Sequence, residues 1–165
     1  MTTLIGIDPG LASTGYGVVR FDGSRFQYVG HGVITTKAET PLPQRLLHIY
    51  VQVKKVLAEF HPDEAGVEEL YFARNASSAI HVAHARGVVL MALGEYGLEV
   101  GCYSPLRVKQ AVIGSGKAEK RQVQKLVGVL LGMDSPPGPD HAADALAVAI
   151  CHANRSQVHV QQHKR

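Results

Sequence analysis

The chain has 165 residues, 45% of them hydrophobic and 19% charged, which is the composition of a single globular domain with a buried core. It contains no run of about 18 uninterrupted apolar residues and no basic N-terminal segment followed by an apolar run. We therefore expect a cytoplasmic protein without a membrane span or a secretory signal. The net charge of +3 is too small to establish a nucleic-acid partner by itself.

Three short segments rich in β-branched and aromatic residues open the chain. They occupy residues 3–8, 14–21 and 26–35. Tight turns separate them, which predicts three strands in an antiparallel meander. Residues 43–60 then carry apolar side chains at helical spacing with charged residues on the opposite side, so an amphipathic helix is predicted there.

The rest of the chain predicts two more strands and four more helices. Short apolar strands at 64–70 and 98–103 flank a helix at 77–96. Ser104 before Pro105 is typical of a helix start, since serine caps the first turn and proline suits the first helical position. The helix that begins at Pro105 is predicted to end at Gly114-Ser115-Gly116, and the last two predicted helices cover residues 119–131 and 140–154.

This order of elements predicts an α/β fold with a mixed five-stranded sheet, its first three strands antiparallel, flanked by helices. The later strands require right-handed parallel crossovers. We expect one domain over residues 1–154 and a polar, frayed tail over 155–165. Cys102 and Cys151 lie in apolar segments without zinc-ligand spacing and are expected to be reduced core residues.

Acidic residues lie on three otherwise apolar segments. Asp8 ends the first strand, Glu68 lies in the next parallel strand, and Asp144 lies on the last helix, three residues after His141. A carboxylate in apolar surroundings is costly without a hydrogen bond, a counter-charge or a metal. Three carboxylates and an imidazole suit a hard divalent ion that shares phosphate oxygens, so they favour phosphodiester hydrolysis.

Each of these residues also has a purely structural interpretation. Asp8-Pro9-Gly10 is an ordinary turn sequence, and Glu68 could form a salt bridge at a strand end. Asp140 could cap the last helix, with Asp144 in its first turns and His141 on the surface.

Basic residues concentrate in one part of the second half. They are Arg107, Lys109, Lys117, Lys120, Arg121 and Lys125, opposed only by Glu119. Such a cluster suits a phosphate backbone, although a solvated helix face is the simpler interpretation of the cluster taken by itself. The segment 114–117 is not a phosphate-binding P-loop, because Ala111 replaces its first glycine and Ala118 its hydroxyl residue, so we interpret it as a flexible basic loop touching DNA.

Several of these motifs, in this order, resemble the RuvC family of Holliday-junction resolvases over nearly the whole chain, to about His152. The matching segments are Gly6-Ile7-Asp8-Pro9-Gly10, Thr14-Gly15-Tyr16-Gly17, Val67-Glu68-Glu69, Val108-Lys109-Gln110, Ala118-Glu119-Lys120 and Ala142-Ala143-Asp144-Ala145-Leu146-Ala147.

The resemblance implies an RNase H-like fold, a homodimer, and symmetrical nicking of two opposed strands of a four-way DNA junction, which leaves 5′-phosphate and 3′-OH ends. It implies two Mg²⁺ or Mn²⁺ ions per site, with Asp8, Glu68 and Asp144 as metal ligands. Lys109 and Lys120 fall on family lysines near the scissile phosphate. By the same analogy the protein would act at the nucleoid and could work with the RuvA and RuvB branch-migration proteins.

Three further expectations extend the resemblance. Many members have an aspartate at the position of His141, so we expect this histidine to be a metal ligand that favours manganese, or else a general base. Tyr71 and Phe72 are expected to stack on an unpaired junction base or to pack in the core. Small residues along the helix at 77–96 favour close packing across a two-fold axis or against its own sheet.

Two other classes of protein share part of this pattern. Actin-like kinases and ATPases also begin with an apolar strand, Asp-x-Gly and a hairpin, but 165 residues cannot supply the second domain that they need. A junction-binding module without catalysis would gain from fewer carboxylates near phosphate, so retention of Asp8, Glu68 and Asp144 favours an enzyme.

Overall fold

A computed structural model describes residues 1–70 and 76–162 of the chain, with side chains up to Arg155. The strands in this part of the chain are β1 (Thr2–Asp8), β2 (Ser13–Phe21), β3 (Phe26–Thr35), β4 (Glu64–Glu68) and β5 (Glu99–Tyr103). The helices are α1 (Leu42–Phe60), α2 (Ala76–Tyr96), α3 (Pro105–Ile113), α4 (Lys120–Leu130) and α5 (Asp140–Gln162).

The five strands form one mixed sheet in the order β3-β2-β1-β4-β5. The first three are antiparallel neighbours, whereas β4 runs parallel to β1 and β5 parallel to β4. The predicted α/β fold with its antiparallel meander is therefore confirmed. In the register Ile7 pairs with Val67, so Asp8 and Glu68 come next at the same edge of the sheet.

Helix α5 lies on one face of the sheet, and α1 and α2 lie on the other. The α5 face is filled by a run of buried alanines and aliphatic residues, and Ile49, Leu57, Val89 and Leu93 fill the α1–α2 face. Burial of these apolar faces is the main stabilising term of the fold.

Glycines of β1 and β2 allow α5 to approach the sheet very closely. A Cβ atom at Gly15 would lie 1.9 Å from the carbonyl oxygen of His141, and one at Gly6 would lie 2.0 Å from that of Ala145. Both distances are far inside van der Waals contact, so a larger residue at either position would push the helix away. The glycines thus bring the first turns of α5 next to the end of β1.

Helix α5 is longer than the sequence predicts. The expected end was Asn154, but the helix continues to Gln162. Polarity was the only signal for an end there, and residues 155–162 contain neither glycine nor proline, the residues that break helices. The division into a domain over 1–154 and a tail over 155–165 stays a prediction.

Helix α2 is long and apolar enough to cross a membrane, by length and composition alone. In the fold, 28% of its most apolar window is buried. Polar residues such as His81 and Arg86 interrupt it, which is why the sequence shows no unbroken apolar run. Its buried side packs on the sheet and α1 through Ala85, Val89 and Leu93. The same composition is found in core helices of soluble proteins, so this is weak evidence for a span.

Both cysteines are free thiols, but only Cys151 is the core residue that the sequence predicts, because Cys102 is partly exposed. Cys151 is buried in α5, and burial raises the pKa of its thiol to about 11. A thiol in this setting is a small hydrophobic side chain without nucleophilic character at neutral pH.

Candidate metal centre

Four predicted site residues come together where the edge of the sheet meets the start of α5. Asp8 and Glu68 end the adjacent parallel strands β1 and β4. His141 and Asp144 are three residues apart near the N-terminus of α5 and therefore share one side of the helix. Ligand atoms of Asp8, His141 and Asp144 all lie within 4.8 Å of one another.

The two elements are joined by a direct contact between Asp8 and His141. His141 Nδ1 lies 2.8 Å from Asp8 Oδ2, a distance at which the ring N–H donates to the carboxylate. The Asp8 side chain is nearly buried, whereas half of the His141 side chain is exposed. The contact orients the imidazole over the carboxylates and leaves its second nitrogen, Nε2, for another partner.

Glu68 completes the cluster and is its most perturbed group. Burial raises the pKa of Glu68 to about 9. The charge of Asp8, a hydrogen bond with Asp8 and the charge of Asp144 act in the same direction. Burial also raises the pKa of Asp144, although Lys120 and His141 act in the opposite direction. The crowded carboxylates of this site disfavour one another's ionised forms. A bound cation would favour those ionised forms.

Two predicted lysines lie beside these acids. Lys109 of α3 and Lys120 of α4 line a cavity of about 300 Å³ together with Glu68 and Asp144. Lys120 Nζ lies 3.0 Å from Asp144 Oδ2 and 3.3 Å from Asp140 Oδ2. Although burial lowers the pKa of Lys120, these carboxylates raise it above its ordinary value, so the ammonium is charged at neutral pH.

The other basic residues predicted to contact DNA lie on or between the two helices that carry these lysines. Arg107 lies on α3, Arg121 and Lys125 lie on α4, Lys117 lies between the two helices, and all four are exposed. The region of α3 and α4 therefore carries exposed positive charge in addition to the two lysines that line the cavity. Tyr71 and Phe72 lie outside the described residues.

Some contacts that shape the site are not among those that the sequence predicts. Gln124 Nε2 donates to Asp140 Oδ1 at 2.9 Å, and the ring of His31 contacts the Gly138 carbonyl oxygen at 2.9 Å in front of α5. The spacing of Lys120 and Gln124, one turn apart, indicates a shared helix face. Which residue faces them depends on how α4 packs on α5, and a single sequence has no signal for that.

The donor set fits a hard divalent ion. Carboxylates and an imidazole are ligands for Mg²⁺ or Mn²⁺, and imidazole suits manganese better than magnesium. Burial beside Asp8 and Asp144 raises the pKa of Glu68, and a bound cation would favour its ionised form. Asp8, His141 and Asp144 therefore lie close enough together to share a metal ion, with Glu68 beside them.

Comparison with known proteins agrees with this geometry. The family model of the crossover junction endodeoxyribonuclease RuvC matches residues 4–152. The RuvC of Treponema denticola is 50% identical over 155 residues, 94% of this chain and 87% of that protein. The RuvC of Alkaliphilus metalliredigens is 46% identical over 151 residues, 92% of each chain.

Solved structures lead to the same family. Thermus thermophilus RuvC in complex with a Holliday junction substrate superposes with a TM-score of 0.92 at 38% identity, covering 96% of this chain and 97% of that one. The yeast mitochondrial Holliday junction resolvase Ydc2, at 14% identity and a TM-score of 0.68, shares the fold alone. The predicted RNase H-like fold is thus confirmed, and the chain belongs to the RuvC family of crossover junction endodeoxyribonucleases.

Proposed function

We propose that this protein resolves Holliday junctions by metal-dependent hydrolysis, nicking two opposed strands symmetrically and leaving 5′-phosphate and 3′-OH ends. One observation carries the proposal: in a member of the RuvC family, Asp8, His141 and Asp144 converge within 4.8 Å, with Glu68 facing them. A pair of divalent ions bound there would lower the pKa of an attacking water and offset the charge on the leaving 3′ oxygen.

The protein's own residues then have separable tasks. Asp8, Glu68 and Asp144 would hold the ions, His141 would be a further ligand or a base, and Asp8 orients His141 through the 2.8 Å contact. Lys109 and Lys120 line the cavity beside the acids, where their positive charges hold the scissile phosphate and offset the charge that develops on it. The exposed residues Arg107, Lys117, Arg121 and Lys125 bind the backbone farther from the cut.

His141 has two roles compatible with its position, as a metal ligand or as a base that orients the attacking water. If it is a ligand, replacing it with aspartate turns a nitrogen donor into an oxygen donor and makes the site harder. We expect His141→Asp to lower the ratio of cleavage rates in Mn²⁺ and Mg²⁺ by about tenfold. Single-turnover cleavage of a four-way junction in each metal measures this ratio.

The matched control is His48→Asp, which makes the same change at an exposed position on α1 and should leave the ratio unchanged. An unaltered ratio in His141→Asp would refute the ligand role and favour the base.

We also propose that the protein acts as a homodimer through α2. Ile80 and Met91 are exposed, and a Cβ atom at Gly87, between them, would meet nothing within 4 Å. An exposed apolar face with a small residue at its centre suits close packing with a second copy, and a two-fold dimer presents two sites to a nearly two-fold symmetric junction. Sedimentation equilibrium should give twice the chain mass, and a monomer at micromolar concentration would contradict the proposal.

The decisive experiment for the function is a nicking assay with Mg²⁺ or Mn²⁺ on four substrates: a four-way junction, duplex DNA, an RNA–DNA hybrid and ATP. We expect paired symmetrical nicks on the junction alone. Binding without cutting would indicate a junction-binding module, and cutting of the hybrid or hydrolysis of ATP would place the chain in a different enzyme class. Stacking by Tyr71 or Phe72 and cooperation with RuvA and RuvB stay predictions.

A further inference from the structure

A small polar network links α4 to the first turn of α5 at the edge of the metal centre. Asp140 uses its two carboxylate oxygens for different partners: Oδ1 accepts from Gln124 Nε2 at 2.9 Å, and Oδ2 lies 3.3 Å from Lys120 Nζ. Lys120 also donates to Asp144 Oδ2 at 3.0 Å. The same ammonium is therefore shared between a metal-centre carboxylate and a carboxylate outside that centre.

These contacts contribute little to the stability of the fold. The side chains of Lys120 and Asp140 are 50% and 67% exposed, and exposed ion pairs of this kind stabilise weakly. Their importance lies in their position, because Lys120 faces the cavity that contains Glu68 and Asp144.

A divalent ion bound by Asp144 would change the surroundings of Lys120. Asp144 would then share its negative charge with a cation that repels the ammonium, so its contact with Lys120 would weaken. Asp140 remains within reach of Lys120, and Gln124 holds its other oxygen in place. The lysine can then leave Asp144 without leaving the mouth of the cavity.

We propose that Asp140, fixed by Gln124, is a positioning residue that receives the Lys120 ammonium when metal occupies the neighbouring centre and holds it next to the scissile phosphate. This inference rests on the proposed function and deepens it. Without Asp140, the lysine would pair with Asp144 alone and would compete with the ion for that carboxylate.

The first test measures binding of Mn²⁺ to the full chain without DNA, by the electron paramagnetic resonance signal of the free ion. Asp140→Asn is expected to weaken binding about threefold to fivefold, because Lys120 then competes more strongly for Asp144. In a Lys120→Met background the same substitution should change binding much less. This double-mutant cycle separates an effect through the lysine from the general loss of a negative charge.

Gln124→Ala tests the network without any change of charge. It should weaken Mn²⁺ binding in the same direction, because Asp140 loses the contact that holds it in place. The control is Asp134→Asn, which removes an exposed carboxylate in the segment before α5 and should have no effect.

The second test measures single-turnover junction cleavage at saturating Mn²⁺. Asp140→Asn and Gln124→Ala should each slow cleavage about fivefold with junction affinity unchanged, and neither should slow it further once Lys120 is methionine. Equal effects of Asp140→Asn with and without Lys120 would overturn the inference. If the wild-type protein binds Mn²⁺ and cuts junctions but the cycle shows no coupling, this inference is wrong and the proposed function stands. If the wild-type protein cuts no junction, the proposed function is wrong as well.

Discussion

Asp8→Asn is expected to reduce junction cleavage by about a thousandfold or more, equivalent to roughly 4 kcal/mol of transition-state stabilisation. Asp8 lies at the centre of the site, in contact with His141 and facing Glu68. Asparagine keeps the shape but removes the charge, so the variant loses a metal ligand and the acceptor that orients the imidazole. Single-turnover cleavage at saturating Mg²⁺ and Mn²⁺ measures the loss.

Junction binding by Asp8→Asn should be unchanged or slightly tighter, because one negative charge near the phosphates is lost. Asp134→Asn removes an exposed carboxylate and is the control for charge alone, with full cleavage expected. If Asp8→Asn kept a rate within tenfold of wild type, the metal centre described above would not be the catalytic one.

Glu68→Gln is expected to stabilise the metal-free protein at neutral and alkaline pH while abolishing cleavage. Burial and the neighbouring carboxylates raise the pKa of Glu68 from an ordinary value of 4.5 to about 9. Between these values the folded protein holds a proton that the unfolded chain has released, so the free energy of unfolding falls as pH rises. Glutamine removes this pH dependence, and we expect the free energy of unfolding to rise by an amount on the order of 2 kcal/mol at pH 8.

Urea unfolding in a chelator at pH 5 and pH 8 measures this effect. The gain from Glu68→Gln should be small at pH 5, where the wild-type carboxyl is protonated in the fold and only partly ionised in the unfolded chain. At saturating Mn²⁺ the wild-type protein should instead be more stable than Glu68→Gln, because the ion stabilises a site with its full set of carboxylates. Glu39→Gln makes the same change at an exposed position in the segment before α1, away from the metal centre, and is the matched control. A metal-free Glu68→Gln protein less stable than wild type at pH 8 would contradict the assignment of Glu68 to a crowded acidic site.

Local patterns in the sequence were sufficient for most of the architecture. The meander, the two later strands and all five helices follow from hydrophobic periodicity and from turn residues such as Asp22-Gly23 and Ser104-Pro105. The prediction that α5 ends at Asn154 is wrong, because polar residues after Asn154 do not stop a helix that lacks a breaking residue.

The identities of the acids were also readable from the sequence, because Asp8, Glu68 and Asp144 each interrupt an apolar segment and carboxylates there need compensation. Their mutual distances were not, since they depend on the register of β1 with β4 and on how closely α5 approaches the sheet over Gly6 and Gly15. The link from Gln124 through Asp140 to Lys120 is likewise a product of the packing of α4 on α5. Strand and helix patterns are encoded by neighbours along the chain, whereas contacts between side chains distant in sequence exist only once the packed core brings their backbones together.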